Sequence, residues 1–449
     1  MTHDMTQGRP TPIIIRFAIP MLIGSLFQQF YQMTDMIVVG NVIGSRALAA
    51  IGLTGSVTFC VSYVISGLAT GFTVVTSRYF GAKNSVMVGK SLAGAMYISI
   101  ALIVVLSFSG VFLAKPLMRL MNTPENIFAE SVLYLQICMG GCTGLVLYQA
   151  ASAVLRAVGD SKTPLVFLVV TSLLNILLDL IFVWALGMGV GGAGLALVIA
   201  QGGSTAVMLV YMHRRFPIFK LKKSDFTSPL RTIKDILWIA LPVMVQSLML
   251  AIGDMVIASV VNTFGSNVVA SYVTGNKIVN FSILFCVNIS QAHAVFAGQN
   301  WGARNLDRIM DGFRKTFILI LILGILSALL LFFFGSACVR LFITETDQYI
   351  DVIVQLADQL CRISAVFFIF MAFIFLYNYT LRGMGFMRAP FISSMSELVT
   401  KTGLAFVLSR MFGYTGIWYV SSLGWILGVL PPVFYFHLGR WKKAITVTD

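Results

Sequence analysis

The sequence predicts an all-α integral membrane protein with twelve transmembrane helices, arranged in two six-helix lobes that are related by a pseudo-two-fold axis along the membrane normal. Composition, the length of the apolar runs and an internal repeat support this fold class. Of the 449 residues, 58% are hydrophobic and only 11% are Asp, Glu, Lys or Arg, against about 25% charged residues in soluble domains. Such a chain cannot cover a water-facing surface, which excludes a soluble enzyme, a nucleic-acid-binding protein and a disordered scaffold.

Apolar runs separated by Gly, Pro or charged residues predict the individual helices. Each run is long enough to cross ~30 Å of hydrocarbon and far exceeds the length of a barrel strand, so helices are expected rather than strands. In chain order the predicted helices lie near 13–40, 47–76, 91–113, 131–155, 164–186, 190–211, 236–262, 267–297, 313–335, 352–381, 389–411 and 415–438.

The positions of Lys and Arg predict the orientation. With the N-terminus inside, 23 of the 31 Lys and Arg residues fall in inner segments, five fall in outer segments and three lie within helices. This asymmetry predicts a multi-pass protein of the plasma (inner) membrane with both termini in the cytoplasm. It also explains the net charge of +14 without a nucleic-acid partner. The basic stretch 212–235 could be a lipid-binding or nucleic-acid-binding patch, but a linker that determines topology is the favoured interpretation.

The two halves of the chain repeat. Tyr79-Phe-Gly-Ala-Lys-Asn84 returns as Asn300-Trp-Gly-Ala-Arg-Asn305, and Leu155-Arg-Ala-Val-Gly159 returns as Leu381-Arg-Gly-Met-Gly385. Gly44-Ser45 likewise returns as Gly265-Ser266. Six helices per copy give both copies the same direction through the membrane, and such duplication is typical of transporters. The predicted domains are an N-lobe over 1–211, a cytoplasmic linker over 212–235 and a C-lobe over 236–449.

Polar residues within the predicted helices of the first lobe form two faces. Asp35 shares one face of the first helix with Gln28 and Gln32, and Asn175 and Asp179 share a face of the fifth helix with Ser172. If the two faces meet, two carboxylates and an amide oxygen converge in a low-dielectric site, where both acids stay ionised only beside a cation. We expect Asp35, Asn175 and Asp179 to bind H⁺ or, as a metal site, Na⁺. Alternatively, they only bond neighbouring helices.

The second lobe has a different polar set. The candidate substrate cavity comprises Gln28 and Gln32 of the first lobe and four residues of the second, namely Asp254, Lys277, Asn280 and Asn288. Asp254 and Lys277 could instead neutralise each other, and Glu397 and Lys401 have the i,i+4 spacing of a local ion pair. His293 is expected to be an ordinary interfacial histidine near the cytoplasmic end of its helix.

These residues carry a resemblance to the MATE (multidrug and toxin extrusion) transporters. The matching segments cover nearly the whole chain and include Pro20, Asp35, Gly40, Leu48-Ala-Ala-Ile-Gly52, Tyr79-Phe-Gly-Ala-Lys-Asn84, Leu155-Arg-Ala-Val-Gly-Asp160, Ala297-Gly-Gln-Asn-Trp-Gly-Ala303 and Leu381-Arg-Gly383. The resemblance implies two six-helix lobes forming a V around a central cavity, and cation-coupled export of organic, often cationic or amphiphilic, compounds. It also implies an N-lobe cation site, onto which Asp35, Asn175 and Asp179 map one for one.

The sequence departs from the family pattern in two places. Leu195, Ala196 and Leu197 stand where the family site can recruit a hydroxyl from the sixth helix, which leaves the choice between Na⁺ and H⁺ open. Helix 352–381 carries Met371 and no acid at its middle, and Asp254 lies several residues past the expected position, so the C-lobe ion site of one branch is not carried over.

The leading functional hypothesis is therefore an antiporter driven by H⁺ or Na⁺ that exports organic small molecules by alternating access. The alternative is a flippase for a lipid-linked oligosaccharide, whose polyanionic headgroup would need several cationic residues in the cavity, for which Lys277, Lys401 and Arg362 are the candidates. An enzyme is not expected, because no nucleotide-binding loop, catalytic triad or metal-ligand cluster is present in the sequence. We expect a monomer in the lipid bilayer, with no cofactor beyond the coupling ion.

Overall fold

A computed structural model describes residues 3–227, 230–341, 349–439 and 441–442, except for the side chains of residues 32–43, 45, 46 and 48. Within these ranges the chain forms thirteen α-helices and no β-strand. In chain order they are α1 (Pro10–Ile43), α2 (Ser45–Gly81), α3 (Ser85–Leu120), α4 (Glu125–Gly140), α5 (Thr143–Ala157), α6 (Lys162–Asp179), α7 (Gly189–Arg215), α8 (Leu230–Val261), α9 (Ser266–Gly302), α10 (Leu306–Arg340), α11 (Ile350–Gly383), α12 (Arg388–Phe412) and α13 (Tyr414–His437).

The number of membrane spans agrees with the sequence prediction. Eleven helical segments of the described chain are long and apolar enough to cross a bilayer unaided, and α4 and α5 together make a possible twelfth. Lipid offers no hydrogen-bond partner to an open backbone, so each span must satisfy its own peptide groups as a helix. The all-α membrane fold class is confirmed.

The predicted helix near 131–155 is broken in the structure. α4 and α5 meet at a bend of 46°, beside two glycines that lie close to α7. A Cβ atom on Gly141 would lie 2.3 Å from Cγ1 of Val198, and one on Gly144 would lie 2.5 Å from the backbone nitrogen of Gly202. The bend therefore accompanies a close approach to a helix distant in sequence, which hydropathy cannot reveal.

The predicted helix near 164–186 changes its winding at Asp179. α6 ends there and continues as a π-helix over Leu180–Ala185, in which the backbone hydrogen bonds span five residues instead of four. Leu186 accordingly donates its N–H to the carbonyl oxygen of Ile181 at 2.9 Å. Such π-segments are rare and occur frequently at functional sites.

The chain forms two compact units. Unit 1 contains residues 1–4 and 19–241, and unit 2 contains residues 5–18 and 242–449. The linker 212–235 is thus grouped with unit 1, where the Asp225 carboxylate lies over Gly89 of α3 and Tyr79 donates to Asp235 at 3.0 Å.

The start of α1 and the segment before it are grouped with unit 2. The N–H of Met5 donates to Oε1 of Gln299 at 2.8 Å. The guanidinium of Arg308 donates to the carbonyl oxygens of Met5, Gln7 and Gly8 at 2.6–3.2 Å. Arg308 therefore holds the segment 5–8 on α10 through backbone atoms.

The repeated residues adopt matching local conformations in the two units. Gly44 (φ 98°) and Gly265 (φ 90°) each precede a long helix in a conformation that strongly favours glycine. Asn84 and Asn305 each cap the following helix by accepting a backbone N–H. Gly159 and Gly385 share a φ of 84°. The sequence repeat is thus also a repeat of backbone geometry.

Candidate functional site

The polar face predicted on α6 is buried inside unit 1. Ser172, Asn175 and Asp179 are only 3%, 2% and 2% exposed, whereas the neighbouring Leu173 and Leu177 are 58% and 54% exposed. Their i, i+3, i+7 spacing places the three polar residues on one side of the helix. The helix therefore turns its carboxyl and amide groups inward and its leucines outward.

Helix α1 packs against this polar face. The hydroxyl of Tyr31 on α1 donates a hydrogen bond to Oδ1 of Asn175. About two turns earlier, Gly24 lies against Leu165 and Leu168 of α6, whose methyl carbons would be 3.5 and 3.6 Å from an added Cβ. The first and fifth predicted helices thus meet within unit 1, as the sequence predicts.

Two of the predicted residues on α1 fall where side chains are not described. Asp35 and Gln32 lie outside the described side chains, so their role stays a prediction. Gln28 is described and exposed. Tyr31 was missed by the sequence reasoning, although its position four residues before Asp35 was a usable signal, because residues at i and i+4 share a helix face.

Unit 2 contains a cavity of about 640 Å³ between α8, α9, α11, α12 and α13. Three of the predicted cavity residues line it, namely Asp254, Lys277 and Asn280. Asn288 is not among the lining residues: it is 3% exposed, and its Nδ2 donates to the carbonyl oxygen of Leu284 at 2.8 Å. Asn288 is therefore placed in the packing of α9, because the helix turns that position away from the cavity.

The ion pairing in this cavity differs from both pairings considered from the sequence. Nζ of Lys401 lies 2.7 Å from Oδ1 of Asp254, so Lys401 is paired across helices and not with Glu397 on its own helix. Asp254 is likewise paired with Lys401 and not with Lys277. Glycines make room for this arrangement: an added Cβ on Gly253 would lie 3.0 Å from Cδ of Lys401. Helix spacing alone could not identify the partner on α8.

Two further cavity residues were missed. Gln246 of α8 and Arg382 of α11 both line the cavity, and the guanidinium of Arg382 donates to Oε1 of Gln246. In the sequence, Arg382 falls among the inner basic residues that predict topology. The usable signal was its place in the repeated Leu-Arg element, beside Gly383.

His293 is buried inside unit 2, and its predicted depth at the membrane interface stays a prediction. It is 0% exposed, its Nδ1 lies 3.1 Å from Oγ1 of Thr316, and its ring stacks on Phe296 at 5.8 Å. Packing by these aromatic neighbours places it in the interior of unit 2. Arg362, a candidate cation for the alternative function, pairs instead with Asp358 at 2.6 Å and does not line the cavity described in unit 2.

Eleven to twelve candidate spans in the described chain, a repeated set of helix ends and buried polar groups are typical of a multi-pass membrane transporter. The sequence profile of the MatE family matches residues 20–181 and 242–407, and the chain belongs to this family. Three curated relatives are named as drug-resistance or drug-export proteins. The probable multidrug resistance protein YpnP of Bacillus subtilis (strain 168) is 27% identical, covering 100% of this chain and 99% of its own length.

The other two relatives are more distant. The probable multidrug resistance protein NorM of Thermotoga maritima is 24% identical over 97% of this chain and 94% of its own length. The multidrug export protein MepA of Staphylococcus aureus (strain bovine RF122 / ET3-1) is 20% identical over 97% and 95%.

Solved structures confirm the fold. A MATE crystal structure in complex with MaL6 is similar with a TM-score of 0.90 and 24% identity, covering 99% of both chains. An outward-facing conformation of a multidrug resistance MATE family transporter of the MOP superfamily has a TM-score of 0.90 and 23% identity, covering 99% of this chain and 98% of the other. The family shown by the sequence profile is thus one of multidrug efflux transporters.

Proposed function

We propose that this protein is a cation-coupled antiporter that exports organic, cationic or amphiphilic compounds across the plasma membrane by alternating access. One observation carries the proposal. Asp179, a carboxyl residue 2% exposed on an apolar spanning helix, lies on the same buried face as Asn175, which binds Tyr31 of α1. In the sequence, Asp35 follows Tyr31 by one helical turn.

An ionisable group costs at least ~2.5 kcal/mol at mid-membrane, so a buried carboxyl there calls for a functional reason. A proton removes the charge, and Na⁺ neutralises it. Oxygen ligands suit a hard cation, and Asp179, Asn175 and Tyr31 all supply oxygen atoms on one side of α6. Either ion would thus act as a co-substrate that enters and leaves this face.

Coupling follows from the contact between α1 and α6. An ion shifts a conformational equilibrium only through its different affinity for the two states. Binding at Asp179 changes the charge beside Asn175 and therefore the strength of its hydrogen bond with Tyr31. We propose that this change repacks α1 and favours release of the drug on the outer side.

The test is ethidium uptake into everted membrane vesicles, which corresponds to efflux from the cell, driven separately by a pH gradient and by a Na⁺ gradient. We expect one gradient to drive transport, and Asp179→Asn or Asp35→Asn to abolish it. Asp351→Asn is the matched control, because Asp351 is exposed and pairs with Arg340 at the surface. Gradient-driven efflux that persists in both site variants would contradict the proposal.

The cationic groups of the unit 2 cavity favour a second candidate, a flippase for a lipid-linked oligosaccharide. Lys277 and Arg382 both line that cavity, and a polyanionic headgroup needs such cations. A flippase would translocate the lipid without exporting ethidium, so the same vesicles distinguish the two functions.

The orientation is also proposed, with both termini cytoplasmic and the chain acting as a monomer. Reporter fusions at residue 1 and residue 449 should be active only when the reporter functions in the cytoplasm. Light scattering of the purified protein should give a protein mass near 49.1 kDa after subtraction of the detergent.

A further inference from the structure

Arg382 occupies a fixed position in the wall of the unit 2 cavity. Gly383 seats this end of α11 directly on α9, since an added Cβ would lie 2.3 Å from the carbonyl oxygen of Ala294. The guanidinium lies 5.3 Å from the centre of the Tyr379 ring, a cation–π distance that restrains the long side chain. The charge is therefore held in place before any ligand arrives.

Among the described residues, this guanidinium has a neutral hydrogen-bond partner and no charged one. It donates through Nη2 to Oε1 of Gln246, and within the described residues it forms no ion pair with a carboxylate. Arginine has no acceptor atom, so this bond also fixes the amide orientation of Gln246 and leaves Nε2 as a donor. Gln246 is 1% exposed.

Two N–H donors at this position lack a hydrogen-bond acceptor in the described structure. Nε of Arg382 and Nε2 of Gln246 are both buried, and neither has a hydrogen-bond partner among the atoms that the structure describes. Buried donors without acceptors are costly, and native proteins usually retain them for a reason. Both residues line the same cavity, so a ligand in the cavity can supply the missing acceptor.

We propose that Arg382 and Gln246 form a binding subsite for an oxyanion group, a carboxylate, sulfonate or phosphate, on an amphiphilic molecule. Such a group offers two acceptor oxygens and a negative charge, which match one guanidinium N–H and one amide N–H. Met371, Ile374 and Phe375 line the same cavity and provide an apolar wall for the rest of the molecule. The subsite is separate from the proposed cation site on α6.

Glu397 opposes anion binding at this subsite. It is 7% exposed, lines the cavity and is held against Gly428, where an added Cβ would lie 2.7 Å from its Cγ. Glu397 and Arg382 line the same cavity but form no ion pair within 4.0 Å in the described chain, so an ionised Glu397 carboxylate would repel an anion bound there. Removing this charge should therefore strengthen binding of an anion, an effect that damage to the fold would not produce.

The experiment measures binding of carboxyfluorescein to the purified full chain in an uncharged detergent, by fluorescence anisotropy at low salt and without any ion gradient. We expect Arg382→Gln to weaken binding at least about tenfold and Glu397→Gln to tighten it severalfold. Arg362→Gln is the matched control: it makes the same change on the same helix, but Arg362 pairs with Asp358 and does not line the cavity. Binding of cationic ethidium should not be strengthened by Glu397→Gln.

A second arm identifies the source of the oxyanion. The protein is placed in nanodiscs of phosphatidylcholine with or without phosphatidylglycerol. Displacement of the dye by phosphatidylglycerol in the wild type assigns the subsite to a lipid phosphate, and retention of the dye assigns it to free organic anions. Either result supports the subsite. Equal affinity of the wild type and Arg382→Gln, or weaker binding in Glu397→Gln, would overturn it. Because no gradient is used, the outcome is independent of cation coupling in unit 1.

Discussion

Lys401 and Asp254 join two helices of unit 2 by an ion pair of 2.7 Å in which the two side chains are unequally buried. The lysine side chain is 8% exposed, and the aspartate side chain is 63% exposed. The buried partner depends on the pair for its stabilisation, since a buried charge without a partner is strongly destabilising. The exposed partner can be hydrated when the pair is lost.

This asymmetry predicts unequal effects of removing each partner. Asp254→Asn leaves a buried ammonium beside a neutral amide, and we expect it to lower the melting temperature by several degrees. Lys401→Met leaves only a hydrated carboxylate and fills the space with an apolar chain, so its effect should be smaller. The melting temperature of each purified variant is measured by thermal unfolding, with size-exclusion chromatography as the readout of remaining folded protein. A larger fall in melting temperature in Lys401→Met than in Asp254→Asn would show that Lys401 is not the partner that depends on the ion pair.

The contact of Gly383 with α9 predicts a second stability effect. Gly383→Ala places a methyl group 2.3 Å from the carbonyl oxygen of Ala294, so α11 must move away from α9. We expect a marked loss of thermal stability and of folded protein in the membrane. Gly403→Ala is the control, because nothing lies within 4 Å of an added Cβ there. This exposed helical position should tolerate alanine or gain slightly. Equal thermal stability of Gly383→Ala and Gly403→Ala would show that the close contact of Gly383 with α9 is absent.

The hydrogen bond from Tyr31 to Asn175 predicts a functional effect in unit 1. Tyr31→Phe removes one hydroxyl and keeps the ring, so the fold should survive. If α1 senses the state of α6 through this bond, ion-driven efflux should fall about 2- to 10-fold, the range expected for one neutral hydrogen bond. The measurement is ethidium efflux at matched expression. Tyr97→Phe, at an exposed tyrosine of α3, should leave efflux unchanged, and wild-type rates in Tyr31→Phe would remove the bond from the mechanism.

Arg308 predicts a local effect at the start of the chain. Arg308→Ala removes the donors that hold the carbonyl oxygens of residues 5–8. We expect faster amide hydrogen exchange in that segment, including Met5, with little change elsewhere. Arg314→Ala, an exposed arginine on the same helix, serves as the comparison. Gln299 accepts from the N–H of Met5, and Nδ2 of Asn300 donates to the carbonyl oxygen of Met5 at 3.2 Å. Unchanged exchange in Arg308→Ala would mean that these two bonds hold the segment without the arginine.

Much of the fold could be predicted from the sequence because lipid imposes a simple rule. Every span must be a helix of sufficient apolar length. The repeated Gly and Asn residues indicate where the helices begin. The buried face of α6 could also be predicted, since the spacing of Ser172, Asn175 and Asp179 is a property of one helix.

Features that depend on a second helix could not be predicted in this way. The break at Gly141 depends on Val198 of α7, and the partner of Lys401 lies on α8. Arg382 illustrates a different difficulty. Its position in the sequence matches that of a cytoplasmic topology residue, and only the packing of Gly383 on α9 brings it to a cavity. In each case the deciding contact joins residues that are far apart along the chain.

The glycine contacts of this protein restrict how its specificity can be engineered. At Gly383 and Gly144 the neighbouring atoms belong to the backbone, so no compensating side-chain substitution can open space for a larger residue. A mutagenesis library aimed at new cargo should therefore leave both positions invariant. Diversity belongs instead at wall positions such as Met371, Ile374 and Phe375, which line the cavity, so that the cavity itself can take up a change in side-chain volume.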